Sequence, residues 1–269
     1  MSQSPGDLLD KLRAETPLVQ CITNYVAMSV TANVLLAAGA SPAMVADAEE
    51  AGEFARIAGA LTVNIGTLSK PMLEGARAAI DGAHDASRPW VFDPVACQAT
   101  AFRARASADL SGLKPAIIRA NASEILSLAG EASQGQGVDG RDGVRSAEEA
   151  ARRLARDTGA VIAVTGREDY VTDGARALRI GGGSHWMTLN TAMGCALTGL
   201  CGAFAAVADD PFDATVGALA LFGVAGTRTH ESASGPGGFG WRFVDTLHGV
   251  MPAALDYEAE ISEAGTIAA

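Results

Sequence analysis

The 269-residue chain carries 20 basic and 31 acidic side chains, a net charge of −11. That balance excludes sequence-independent nucleic-acid binding and attraction to an anionic membrane surface, both of which need clustered Lys and Arg. Hydrophobic residues make up 48% and aromatics only 5%, with a mean hydropathy of +0.18, as expected of one globular domain over residues 1–269 with a core of Ala, Val, Leu and Ile. The longest nearly continuous apolar run, Cys195 to Ala208, is too short to span a bilayer, and the opening MSQSPGDLLDKLRAE lacks the pattern of a secretory signal, so a cytoplasmic location is expected. Cys21, Cys97, Cys195 and Cys201 show no CxxC spacing and read as reduced thiols.

In chain order, Pro5 to Glu15 reads as a short amphipathic helix and PLVQCIT as an extended segment ending at Asn24. YVAMSVTANVLLAAGA has helical spacing and stops at Gly39; Ala43 to Val45 makes a short apolar bridge, and Asp47 is placed to cap a helix through AEEAGEFARIAG. GALTVNIG is a strand, after which Ser69 and Pro71 start a helix reaching Ala86. PWVFDPVA, PAIIRAN and GAVIAVTG supply further strands. Between the last two lie a helix from near Ser123, a Gly-rich loop at 130–140 and the charged helix RSAEEAARRLARDTG. DYVTDG and ALRIGGG form a hairpin with its turn at Asp173 and Gly174, and the rest is helical: 194–208, DATVGALALFGVAGTRTHES, and a last helix after GPGGFG through FVDTLHGV. This alternation predicts an α/β fold with a mainly parallel sheet covered on both faces.

In such a sheet ligands bind beyond the carboxyl ends of the strands, which makes Asn24, Asn64, Asp93, Arg119, Asn121, Glu124 and Thr165 the polar residues to collect. Each also has a structural reading: Asp93 before Pro94 shapes a turn, Asn121 caps a helix, and Glu124 sits in its first turn. Asp93 and Glu124 are carboxylates that can converge on a magnesium ion through waters; Arg119 offers a planar fork for phosphate oxygens, and Thr165 a hydroxyl near the same group. The stretch MTLNTAMGCALTGLCGAFAAVA adds a buried helix whose unpaired amides at Gly194 and Cys195 would face that loop, a place for an anion. The set suits phosphoryl transfer, although the chain has no GxxxxGK[ST] loop and no HRD or DFG set.

Eight blocks in order, PLVQCITNYV, TANVLLAAGASPAMV, IGTLS, DPVA, RANASEI, VTGREDYVTDG, MGCALTG and GPGGF, resemble hydroxyethylthiazole kinases of the ribokinase-like superfamily over nearly the whole chain. The resemblance implies a ribokinase-like sheet with helices on both faces and transfer of the ATP γ-phosphate to the hydroxyl of 4-methyl-5-(2-hydroxyethyl)thiazole in thiamine salvage. It also implies magnesium and a homotrimer with sites between subunits. By position, it implies that Met44, Asn24 and Ala192 meet the substrate, that Arg119, Thr165 and Gly194 meet ATP, and that Asp93 and Glu124 serve the metal. Cys195 matches the family's active-site cysteine, standing where related sugar kinases have an aspartate base; in a helix first turn its pKa is expected to be lowered. Two positions depart from the family pattern: Ala192 replaces the first glycine of a TGxGC loop, and Leu189 stands where a lysine is frequent. A kinase of another small alcohol and a catalytically silent nucleotide-binding module are the rival expectations. A cysteine hydrolase pairing Cys195 with His185 or His230 is a third.

Overall fold

Short strands that are apolar on both faces need cover on both, and the chain supplies it by alternating them with helices. The computed structural model describes residues 1–131 and 143–264. α1 (Pro5–Glu15), capped by Ser4, leads into β1 (Leu18–Ile22), α2 (Met28–Ala38), β2 (Ser41–Ala43), α3 (Ala51–Ile57) and β3 (Ala60–Asn64). α4 (Lys70–Asp85), β4 (Trp90–Asp93), α5 (Ala101–Ser111), β5 (Ile117–Asn121), α6 (Ala122–Leu128), α7 (Gly143–Thr158) and β6 (Val161–Thr165) continue the pattern. The hairpin of β7 (Asp169–Thr172) and β8 (Ala177–Ile180) is followed by a 3₁₀ turn at His185–Leu189. α8 (Met193–Ala205), α9 (Pro211–Ser232), α10 (Pro236–Gly249), α11 (Pro252–Glu258) and β9 (Ile261–Glu263) complete the described chain.

The strands form one sheet in the order β2-β1-β3-β4-β5-β6-β7-β8-β9, parallel from β2 through β6 and antiparallel beyond. Because side chains alternate across a strand, Val19, Cys21, Val91, Ile117 and Val161 join the core under α1, α2, α8, α9 and α10, whereas Leu61, Val63, Phe92, Ile118 and Val164 join the core under α4 and α7. The expected α/β sheet with helices on both faces is therefore present. Gly39, at φ 108°, ends α2 as expected. All four cysteines are free, and no helix among the described residues is long and apolar enough to cross a membrane.

Several local expectations differ. The last helix, expected after GPGGFG, starts inside that block: Gly235 is the cap and Pro236, whose fixed φ suits a first turn, opens α10. Asp47 does not cap α3: its Oδ1 accepts the Glu49 N–H at 2.9 Å, an Asx turn that competes with the helix, and α3 starts at Ala51 with no side-chain cap. The bridge expected at Ala43 to Val45 is instead a strand at Ser41–Ala43, and Pro42 is tolerated there because β2 pairs on one side only. α11 and β9, absent from the sequence reading, close the chain by laying Ile261 beside Ile180 on the far edge of the sheet. From residue 132 on, the Gly-rich loop expected at 130–140 lies outside the described residues.

Candidate active site

Parity places the polar residues before any contact is considered. With Leu61 and Val63 on one side of β3, Asn64 falls on the other; β4 and β5 likewise send Asp93 and Arg119 to the side covered by α8, and Asn64 stands beside Asp93 in register. α8 lies close over these strands because it has Gly202 where it crosses them: a Cβ there would come within 2.4 Å of Thr62 Cγ2 on β3. Gly199 gives the same close approach to α2, where a Cβ would come within 2.7 Å of Thr31 Cγ2. The mouth of α8 is thereby held over the strand tips.

Cys195, in the first turn of α8, receives two amide donors: Asn24 Nδ2 at 3.1 Å and Asn64 Nδ2 at 3.3 Å from Sγ. Asn64 Nδ2 also donates to Asp93 Oδ2 at 2.7 Å, and the Thr198 hydroxyl, one turn along α8, donates to the same oxygen at 2.8 Å. Arg119 Nη1 lies 3.6 Å from Asp93 Oδ2, and its Nη2 donates to Thr165 Oγ1 at 2.6 Å. Its guanidinium lies against Gly194, where a Cβ would meet Nη1 at 2.8 Å. Thus Asn24, Asn64, Asp93, Arg119, Thr165, Gly194 and Cys195 form one connected set. The thiol expectation reverses: burial first, and then the Asp93 charge, raise the Cys195 pKa above its ordinary value, while Asn24, Arg119 and Asn64 pull the other way.

Glu124 does two jobs in the same neighbourhood. One oxygen accepts the Asn121 N–H at 2.9 Å, and Asn121 in turn caps α6, so the structural reading of both residues holds. The other oxygen accepts the Ala96 N–H at 2.8 Å, fixing the loop after β4. Burial first, then repulsion from Asp93, raises the Glu124 carboxyl above the usual range, and burial raises Asp93 despite Arg119. Asp93 Oδ1 is buried without a hydrogen-bond partner. An orphaned carboxylate oxygen facing the charge of a second buried carboxylate fits a divalent cation held through few protein ligands. Among the described residues no group of three or more His, Cys, Asp or Glu side chains encloses a metal.

This geometry is accompanied by a match of residues 9–253 to the Hydroxyethylthiazole kinase family. The chain belongs to the hydroxyethylthiazole kinase family. A Rhizobium johnstonii protein named hydroxyethylthiazole kinase is 60% identical over 262 residues, covering 97% of this chain and 98% of that one. The solved hydroxyethylthiazole kinase protein from Pyrococcus horikoshii OT3 is 35% identical, with a TM-score of 0.89 over 97% of this chain and 99% of its own. A ribokinase-like superfamily protein from Enterococcus faecalis V583 shares the fold at 12% identity and a TM-score of 0.65, covering 90% of this chain and 93% of that chain. The ribokinase-like architecture is thus present.

The two departures from the hydroxyethylthiazole kinase pattern now have a geometry. Ala192 is the residue before α8 and has φ 67°, in the left-handed region, with no side-chain cap; Ala196 N–H to Ala192 O is the first helical bond, so the amides of the first turn lack helical partners. Left-handed backbone costs a residue with a Cβ about 1–2 kcal/mol, part of which the greater freedom of glycine in the unfolded chain cancels. Ala192→Gly is therefore expected to stabilise the protein by about 0.5–1 kcal/mol, raising Tm by roughly 2 °C in a thermal melt. An unchanged or lower Tm would show that this backbone is not strained. Leu189 is exposed at the end of the 3₁₀ turn.

Met44 stands outside the hydrogen-bonded set, one residue past β2 and half-buried against the core on the α8 side of the sheet. The histidines do not serve the thiol: His230 Nδ1 lies 2.9 Å from Ser184 Oγ and its ring packs on His185 at 5.2 Å, while Cys195 is held by the two asparagines. Sequence reading collected Asn64 without a role and missed Thr198 and Asp169. Thr198 could have been found at three residues past Cys195 on the same helix. Asp169 opens β7, accepts the Gly166 N–H at 2.8 Å, and is pushed up to about 6 by burial, with Gly166 and Arg119 opposing. A raised carboxyl contributes stability that is full below its ordinary 3.8 and lost as pH rises through about 6. Asp169→Asn keeps the acceptor and removes the titration. Its stability is expected to match the parent near pH 4 and to exceed it at pH 7 by on the order of 2–3 kcal/mol, read as a higher Tm. A Tm difference independent of pH would exclude a raised Asp169.

Proposed function

We propose that this chain transfers the γ-phosphoryl group of ATP to the hydroxyl of 4-methyl-5-(2-hydroxyethyl)thiazole, as one kinase domain. What carries the reading is the convergence of Asp93, Arg119 and Thr165 at the strand tips with the open amides and thiol at the mouth of α8. Arg119, Thr165 and the Gly194 amide hold the phosphates; Met44, Asn24 and the Ala192 backbone hold the thiazole alcohol. Cys195 receives the hydroxyl proton as the alcohol oxygen bonds to the γ-phosphorus and the bond to ADP breaks, so positioning and charge stabilisation carry most of the barrier. Asp93 and Glu124 hold magnesium, which when bound supplies positive charge to the phosphate oxygens; the orphaned Asp93 Oδ1 supports this assignment.

The working form is a homotrimer with sites between subunits. Exposed Tyr25 and Val26, next to Asn24 in sequence, and exposed Leu189, three residues before Ala192, are the apolar side chains that support it. A cytoplasmic setting fits four free cysteines. The test is an ATP-consumption assay over a panel of small primary alcohols with magnesium present or chelated. Magnesium-dependent turnover with the thiazole alcohol far above the others is expected. Preference for a different alcohol would sink the substrate assignment, and ATP binding without turnover on any alcohol would sink the kinase reading.

A further inference from the structure

The two asparagines at the thiol are not free to rotate. Ala27 N–H donates to Asn24 Oδ1 at 3.1 Å, and Gly66 N–H donates to Asn64 Oδ1 at 2.9 Å. Main-chain donors thus identify the oxygen of each amide and leave each nitrogen facing Sγ. An amide nitrogen carries two hydrogens, and both side chains have a second acceptor: Asn24 Nδ2 donates to Asn64 Oδ1 at 3.0 Å, and Asn64 Nδ2 to Asp93 Oδ2 at 2.7 Å. The sulfur is therefore loaded with donors on the protein side.

We propose that Asn64 is a positioning residue that keeps Cys195 a hydrogen-bond acceptor and links it to Asp93, with Asn24 as the second arm. A sulfur that accepts from two fixed N–H groups has its remaining direction for the substrate, where it either points its S–H or, as thiolate, takes a proton. The O–H bond of the alcohol breaks as the S–H bond forms, and Asn64 stays neutral throughout. The purpose of the clamp rests on the phosphoryl-transfer reading above; its geometry does not. The charged groups facing the thiol are Asp93, which opposes the thiolate, and Arg119, which favours it. Against them the two amide donors favour the thiolate, because hydrogen bonds to a charged acceptor are roughly twice as strong as neutral ones.

The test is the pH dependence of iodoacetamide alkylation at Cys195, followed by the mass of its peptide in the full folded chain without substrates. In Asn64→Ala the midpoint is expected to move about one unit alkaline, a tenfold smaller thiolate fraction at a given pH, and Asn24→Ala should move it the same way. Thr198→Val, which removes a bond to Asp93 and none to the sulfur, should leave the midpoint in place. An Asn64→Ala profile that superimposes on the parent, or an equal shift in Thr198→Val, overturns the proposal. If Asn64→Ala does not fold, Asn24→Ala decides by the same criterion. Absence of thiazole kinase activity with the alkylation shift intact would sink the proposed function alone. An unshifted profile in an active enzyme would sink the clamp alone.

Discussion

Replacing Arg119 by alanine is expected to lower kcat/KM for ATP by about 10²–10³-fold and to weaken nucleotide binding in the same experiment. The side chain is only 14% exposed and acts at three places: it donates to Thr165, lies 3.6 Å from Asp93 and rests against Gly194 at the mouth of α8. Its loss removes the fork proposed to meet phosphate oxygens and leaves the Asp93 carboxylate buried without its cation. A stability loss of about 3 kcal/mol should accompany the kinetic one, so kinetics belong well below the variant's Tm. Arg119→Lys restores charge but not the planar fork and should fall between the two. Nucleotide affinity unchanged in Arg119→Ala, measured by titration calorimetry, would rule out a phosphate contact.

Cys195→Ala should behave differently, losing about 10²-fold in turnover while nucleotide affinity stays nearly intact, because it removes the proposed proton acceptor and none of the proposed phosphate donors. The expected loss sits at the low end for general-base removal, since burial and Asp93 hold the thiol above its ordinary pKa and leave little thiolate at neutral pH. The sign of the pH dependence follows. In the parent protein kcat should climb towards alkaline pH as the thiolate fraction grows, and in Cys195→Ala that limb should disappear. ATP affinity falling as far as in Arg119→Ala would contradict the division of roles. A pH–rate profile identical in the two proteins would show that the thiol takes no proton.

Much of the site was legible because the sheet obeys a local rule. Strands apolar on both faces announce themselves, side chains alternate with a period of two, and the first polar residue past each run sits at a tip; Asn64, Asp93 and Thr165 were found this way. The Asn121–Glu124 capping box is also local, three residues apart, and could be read without coordinates. Asp47 shows the limit of the same method: a good cap residue next to a helix bonded its own turn instead, and only the competition between the two geometries decides that.

The order of apolar runs, the glycines and prolines between them and the blocks they form determined the α/β architecture, the family and the residues gathered at the strand tips, since these depend on neighbours along the chain. The tertiary structure decided what those residues do to one another. It set the left-handed conformation of Ala192, brought Ala96 to Glu124 across 28 positions, and placed Thr198 on Asp93. It also reversed the expected thiol pKa, because a helix N-terminus is a feature of one segment, whereas desolvation and the charge of Asp93 exist only once α8 has been laid across the sheet.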